Sequence, residues 1–456
     1  MSLSASRISV VIPAYNAAGH LRQCLEALRQ SRVQPLELIV VDDGSTDEST
    51  AVAQEFGATV LSTGSTGGPA KARNAGAARA QGEILFFLDA DVCVHADTLD
   101  RVAEAFEADP DLDAVIGCYD ESPGADDFLS QYKNLMHSFV HQHAQEQAST
   151  FWSGCGAIRR TVFVEFGGFD ESYARPSIED IELGYRMHRA GRKLSLHRDI
   201  QVQHLKQWSF WGLVKTDIFD RGIPWTELIL RDRHMPNDLN VHLSQRVSVA
   251  LVFLLCGMSL FAAVWWHGYY LLPLFGVLFL VLGRYWVEHA NLKDRKAGIL
   301  WTTLIVALIV AGAVVYDMEV MIPPLVLGWV LLHVRHRCEW KSAGWLYSSA
   351  LLTASVAALI IFFMFYIPFH RFVFSVIVVF FAVVLLNTQF YLFLIGKRGR
   401  TFALAAIPFH LLYHFYNGIS FVAGTVRYYW RTGRMGVRDS TPPASSPTKA
   451  KSVRTG

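Results

Sequence analysis

The sequence predicts an α/β domain followed by an all-α transmembrane domain, and three observations carry that assignment. Over the first 200 residues or so, short apolar runs alternate with amphipathic stretches, the rhythm of a parallel sheet with crossover helices. Up to about residue 240 charged and apolar residues are mixed; beyond Val247 there are long stretches without Asp, Glu, Lys or Arg. The 456-residue chain is 52% apolar, and that excess sits in its second half. The expected division is an α/β domain over 1–204, interfacial helices and a linker over 205–243, a transmembrane domain over 244–430 with six or seven helices, and a disordered basic tail over 431–456.

Taken in order, residues 9–13 are a β-branched run ended by proline, hence a strand and a turn. A helix is expected over 18–30, with Leu21, Leu25 and Leu28 on one face. Residues 36–41 form a second strand that ends in Asp42-Asp43-Gly44-Ser45. Ser45-Thr46-Asp47-Glu48 has capping-box spacing and should start the next helix. Residues 58–61 are a third strand, and Gly67-Gly68-Pro69 opens a helix carrying Lys71, Arg73 and Asn74. Ala72, Ala75, Gly76 and Ala78 on that helix imply close packing. The five apolar residues 84–88 read as a fully buried strand, and Asp89 and Asp91 appear where it leaves the core.

Composition narrows the function. A formal charge of +1 gives no strong field toward nucleic acid. Six scattered cysteines contain no Cys-x-x-Cys pair, which argues against a zinc site or disulfide framework. Residues 1–7 have no apolar core, so no cleavable signal is expected and the first domain should stay in the cytoplasm. Ligands of open α/β sheets collect at the carboxyl ends of strands. Two carboxylates one residue apart there suit Mg2+ or Mn2+ that also holds phosphate oxygens. Asp43, at another strand end, can accept from a base N–H or a ribose hydroxyl, whereas Asp42 faces inward; alone, the stretch would be a turn with a helix cap. Lys71 and Arg73 can meet a diphosphate at the helix start, or else sit on a solvated face.

Four motifs in order resemble the family 2 glycosyltransferases: Val11-Ile12-Pro13-Ala14-Tyr15-Asn16, Val41-Asp42-Asp43-Gly44-Ser45-Thr46-Asp47, Pro69-Ala70-Lys71-Ala72-Arg73-Asn74-Ala75-Gly76 and Asp89-Ala90-Asp91. The resemblance spans roughly residues 8–222. It implies a GT-A fold, a nucleotide-diphospho-sugar donor, a divalent metal and inversion at the anomeric carbon. It implies that the turn from Pro13 to Tyr15 helps Asp43 read the nucleoside, and that Asp89 and Asp91 carry metal and donor phosphates. Ser153-Gly154-Cys155-Gly156 looks like the family's acceptor-side segment, and Gly167-Gly168-Phe169-Asp170-Glu171 like the turn before its catalytic helix. Asp180 then falls where the family carries its general base, with Glu179 second. A sugar hydroxyl must lose its proton as it attacks, which is why a carboxylate is wanted. His204 resembles a metal-completing histidine, with His197 weaker, and Arg221-Gly222 resembles a pair at the active-site mouth that reaches the donor diphosphate or an acceptor phosphate. One departure is that processive members carry Gln-x-x-Arg-Trp, whereas here Lys206 replaces the arginine and Trp208 lies one position late.

Trp208, Phe210, Trp211 and Phe219 among Lys206, Lys215 and Arg221 suit a helix at lipid headgroups, or an amphipathic helix packed on the sheet. Residues 126–143 are a second such helix, placed to line an acceptor cleft. Spans are expected over 247–266, 269–283, 297–316, 320–334, 342–369 and 372–396, and 401–426 either crosses or re-enters. Basic loops around Arg295, Arg337 and Arg398 would lie inside with the catalytic domain. The expected activity is sugar transfer from a nucleotide-diphospho-sugar to a lipid-linked or glycan hydroxyl, at the cytosolic face of a bacterial inner membrane and in contact with its lipids. The alternatives are a processive polysaccharide synthase, a polyprenyl-phosphate glycosyltransferase and an inactive membrane scaffold.

Overall fold

The computed structural model describes residues 7–237, 241–265 and 370–434. Eight strands form one sheet: β1 Ile8–Ala14, β2 Glu37–Asp42, β3 Thr59–Ser62, β4 Ile84–Leu88, β5 Val92–Val94, β6 Ala114–Tyr119, β7 Cys155–Arg159 and β8 Leu194–His204. Their spatial order is 3-2-1-4-7-6-8-5. β1, β2, β3 and β4 are mutually parallel, as the alternating rhythm predicts. The sheet as a whole is mixed, which corrects the all-parallel expectation. β7 runs antiparallel between β4 and β6, and β5 antiparallel to β8. The reversal follows from the chain's route: it enters β7 from the carboxyl end of β4, so Leu88 pairs with Cys155 and Ile84 with Arg159. The end of one strand therefore meets the start of the other.

Both sheet faces are covered, which is why the strands read as continuous apolar runs rather than alternating ones. Ile8, Val10 and Ile12 of β1 pack on Leu21, Leu25 and Leu28 of α1 (Ala18–Arg29). Val11, Ile39 and Val41 face Ala70, Ala72 and Ala77 of α3 (Pro69–Arg79). The small residues let α3 sit close: a Cβ on Gly76 would lie 2.4 Å from Cγ1 of Val11. The capping-box expectation fails. Helix α2 spans Ser49–Glu55 and has no side-chain cap. The carboxylate of Asp47 accepts instead from the Ala18 and Ser49 amides, and the Ser45 hydroxyl accepts from Asn16 N–H. These residues tie the loop after β2 to the loop after β1.

The remaining helices of the α/β domain are α4 Thr98–Ala108, α5 Phe128–His143, α6 Arg160–Glu165 and α7 Glu179–Arg189. After β8 come α8 Phe210–Lys215, a π-helix over Thr216–Gly222 and α9 Ile223–Asp232. Leu213, Ile223 and Leu228 turn inward, while Trp211 and Phe219 are more than half exposed at 68% and 57%. Four further helices are described: α10 Leu243–Trp265, α11 His370–Leu386, α12 Thr388–Arg398 and α13 Arg400–Arg434. Phe128, Tyr132 and Met136 of α5 share a core with Trp208, Phe390 of α12, and Tyr413 and Tyr416 of α13. The 401–426 segment is part of one continuous helix that runs through Pro408. Among the described residues, one helix, Leu243–Phe261, is long and apolar enough to cross a membrane, and the pair Phe372–Leu386 and Thr388–Arg398, bent by 64°, would add a second. That is weak evidence for a membrane domain. The spans expected over 269–283, 297–316, 320–334 and 342–369, the basic loops around Arg295 and Arg337, and the 440–456 tail lie outside the described residues.

Candidate active site

The site forms where β4 ends, β7 begins and α7 starts. Arg73, buried on α3, joins these parts: one amino group donates to Asp89 Oδ1 at 2.7 Å and the other to Glu179 Oε1 at 2.8 Å. Its charge, expected at a diphosphate, is spent on two carboxylates. Desolvation opposes the charge on Arg73, yet Asp89, Glu179 and Asp180 together raise its pKa. Glu179 is 3% exposed, and its second oxygen accepts from Ser177 N–H at 3.0 Å. Burial pushes the Glu179 carboxyl up, Arg73 pulls it down, Asp180 pushes it up again, and the net direction is upward.

Asp180 follows on the first turn of α7 and remains partly exposed. Its Oδ2 accepts from both the backbone N–H and the hydroxyl of Ser153, each at 3.0 Å, and its Oδ1 from Ile181 N–H at 2.8 Å. Ser153 lies two residues before Cys155, whose partner in the sheet is Leu88, the residue before Asp89. Thus the antiparallel β7 brings Asp180 to the Asp89 end of β4. Upstream, Gly167 and Gly168 take φ of 71° and 72°, a left-handed pair that glycine allows without steric cost. Asn74 clamps this turn by accepting from Phe169 N–H and donating to Phe169 O.

On the other side of Asp89, Asp91 Oδ2 faces Nε2 of His204 at 3.6 Å. His204 Nδ1 lies 2.8 Å from Asn134 Oδ1, an oxygen that can only accept, so Nδ1 carries the hydrogen. In neutral His204 the Nε2 lone pair then points at a carboxylate oxygen, and a cation between them satisfies both. Burial would raise the Asp91 pKa, but a positive charge at its side, a proton on His204 Nε2 with help from Lys206, holds it well below the ordinary range, and a metal ion in that proton's place would do the same. Among the described residues no three His, Cys, Asp or Glu side chains form a ready metal cluster. The donor set Asp91 and His204, with Asn134 fixing the tautomer, fits a divalent ion that takes its other ligands from phosphate or water.

The remaining candidates fall into two groups. Asp43 is buried and turned into its own loop, accepting from Thr63 Oγ1 at 2.8 Å, Gly67 N–H at 2.9 Å and Gly68 N–H at 2.8 Å. It shapes the glycine loop before α3 instead of standing open to a nucleoside. Pro13 pairs with Val41 in the sheet, and Tyr15 beyond it is 54% exposed. The Lys71 side chain lies back over Gly67, whose added Cβ would be 2.5 Å from the lysine Cδ. Arg221, on the π-helix, reaches His137 Nε2 at 3.4 Å. His197 is distant in role: its ring pairs with Asp199 at 3.9 Å. The expectation missed Tyr119 and Trp152, whose rings lie 4.7 Å apart, with Tyr119 stacked on His204 at 4.3 Å. It also missed Asn134 and the buried pair Lys133–Asp217 at 2.6 Å. Lysine and histidine repeating every four residues along α5 was the available signal for this wall.

The first part of the chain is similar to known proteins. Residues 9–167 match the model of the glycosyl transferase family 2. Glycosyltransferase GlyG of Streptococcus pneumoniae serotype 4 is 37% identical over 125 residues, 26% of this chain and 41% of that protein. Validoxylamine A glucosyltransferase of Streptomyces hygroscopicus subsp. jinggangensis is 28% identical over 232 residues, 42% of this chain and 54% of that one. Among solved structures, a mannosyltransferase of Pyrobaculum calidifontis in complex with GDP-Man and Mn2+ is 20% identical over 50% of this chain and 62% of its own, with a TM-score of 0.37. That likeness is too low to bear on the ligands of this chain. The chain spans about half the length of the curated relatives it matches. The family match thus runs from β1 through β7, takes in Asp89 and Asp91 at the end of β4, and stops short of Asp180 and His204.

Proposed function

We propose that the protein transfers a sugar, with inversion, from a nucleotide-diphospho-sugar to a hydroxyl of a lipid-linked or glycan acceptor at the cytosolic face of a membrane. One observation carries the reading: Arg73 binds Asp89 and Glu179 at once, which sets Asp180 beside the carboxyl end of β4. Glu179 is buried and both of its oxygens are engaged, so it holds the site together and does not meet the acceptor. Asp180 is the more open carboxylate, and its Oδ1, which accepts from Ile181 N–H alone, keeps a lone pair for a proton. Ser153 orients it by two donors, so that the acceptor hydroxyl loses its proton to Asp180 as its oxygen attacks the anomeric carbon. Asp91 and His204 would hold a Mg2+ or Mn2+ ion, which when bound would supply neutralising charge to the departing diphosphate. The loop held by Asp43, with Tyr15 and Lys71 at its edges, shapes the donor side.

The membrane placement is supported by the apolar span of α10 and by the exposed Trp211 and Phe219. The test is Asp180→Asn in the purified full chain, scored for transfer from a panel of nucleotide sugars with native lipid extract present. Turnover is expected to fall by about 100-fold or more while nucleotide binding survives. Full activity in that variant removes Asp180 as the base.

A further inference from the structure

The wall facing the acceptor side carries a charge that the mechanism above leaves unused. Arg221 has no acidic partner among the described residues. Its one contact is Nη1 to His137 Nε2, and because a guanidinium only donates, that nitrogen accepts and His137 is neutral. One turn further along α5, His141 Nδ1 is buried without a hydrogen-bond partner. Burial and the Arg221 charge push the His141 pKa down to about 4. The wall thus holds one cation without an acidic partner and two histidines kept neutral first by burial and then by the neighbouring positive charges.

The wall's position ties it to the acceptor. Tyr119 stacks near both histidines, with centroids 6.1 Å and 6.4 Å away, and Trp152 lies 4.8 Å from His141. The residue after Trp152 is Ser153, which orients Asp180. The wall is also firmly built. Four residues before His137, Lys133 pairs with Asp217, which lies four residues before Arg221. Asp217 Oδ2 also accepts from Tyr416 of α13 at 2.5 Å, so its charge is already committed to Lys133. All three of these residues are buried.

We propose that Arg221, His137 and His141 form a site for a phosphate group carried by the acceptor, whose hydroxyl is the one that attacks beside Asp180. This rests on the transferase reading and names the substrate class more narrowly: an acceptor that is itself a phosphoester, either lipid-borne or a soluble sugar phosphate. A phosphate offers the charge Arg221 lacks, bidentate acceptors for its free N–H groups, and an acceptor for a proton at His141 Nδ1. The aromatic rings of Tyr119 and Trp152 then flank the sugar or isoprenoid next to it.

The test uses the full chain in detergent with chelator present, so that no metal recruits phosphate to Asp91. Binding of inorganic phosphate, geranylgeranyl phosphate in micelles and glucose 1-phosphate is measured by calorimetry. Arg221→Gln is expected to weaken these probes by about tenfold or more, and His141→Asn by several-fold. Arg221→Lys, which keeps the charge, should retain part of the binding and controls for folding. Tighter binding of geranylgeranyl phosphate than of glucose 1-phosphate makes the phosphate lipid-borne, and the reverse makes it sugar-borne; either upholds the site. Equal probe binding by wild type and Arg221→Gln overturns it. So does a loss, in Arg221→Gln, of Mn2+-dependent UDP or GDP binding in place of phosphate binding, which would assign Arg221 to the donor. Failure of the transferase reading shows separately, as a wild-type chain that transfers sugar from none of the nucleotide sugars of the panel while phosphate binding stays intact.

Discussion

Replacing Arg73 with leucine tests whether the site is assembled by that one guanidinium. The wild-type side chain is 4% exposed and bridges Asp89 and Glu179 at 2.7 Å and 2.8 Å. Its loss leaves Glu179 buried and charged with no counter-ion, a cost of about 3–5 kcal/mol. For a domain of this size each kcal/mol lowers Tm by roughly 2–4 °C, so a fall on the order of 10 °C is expected. The pH dependence follows from Glu179. Its folded pKa is already above the ordinary value, and without Arg73 it rises further. A carboxyl raised in the fold destabilises it fully above the folded pKa, and the penalty disappears as pH falls through the unfolded value near 4.3. The deficit of Arg73→Leu should therefore be largest at neutral pH and shrink in acid. Adding Glu179→Gln removes the buried charge and should recover most of the lost Tm. Thermal unfolding of the four proteins of this cycle in one detergent is the assay. An Arg73→Leu melting point within about 2 °C of wild type, or no recovery in the double variant, refutes the reasoning.

Gly184→Ala should lower stability by about 1–3 kcal/mol and reduce turnover, because its Cβ would lie 2.1 Å from Phe151 N, on the segment that leads to Ser153; a melt and a rate measurement check both. Chelation by EDTA should abolish donor binding, and added Mn2+ or Mg2+ should restore it in wild type but much less in Asp91→Asn, as read by nucleotide titration. Lys133→Met leaves Asp217 with Tyr416 as its partner and should cost about 3–5 kcal/mol, measured by denaturant or heat. Ser153→Ala should keep nucleotide affinity while slowing transfer about tenfold or more, since Asp180 loses its hydroxyl donor but keeps the Ser153 amide.

Much of the donor half was legible in the sequence because it is local. β4 has the predicted bounds, Ile84–Leu88, since five buried apolar residues followed by Asp leave little choice. Helices α1 and α5 were also found within a residue or two, because their apolar faces repeat at helical spacing. The direction of β7 was not legible: an apolar run says nothing of which way it crosses the sheet. Nor were the partners of Arg73, 16 and 106 residues away, which only the fold brings together. Asp43 shows the converse limit. Its motif marked a strand end correctly, but the carboxylate serves the loop amides of Gly67 and Gly68, contacts that spacing does not encode. Ser45 and Asp47 matched a capping pattern by composition, yet a neighbouring loop offered better donors and took them.

The π-helix at Thr216–Gly222 makes one stretch of this chain intolerant of changes in length. Its wider turn carries one residue more than an α-helix of the same rise would hold. Excising any one residue there would rewind the segment, and each residue of slippage turns everything beyond it by about 100°. Asp217 could keep its buried lysine, or Arg221 its outlook on the cleft, but not both. Surface loops elsewhere in the fold can grow or shrink freely, whereas here register itself is the conserved quantity to look for among relatives.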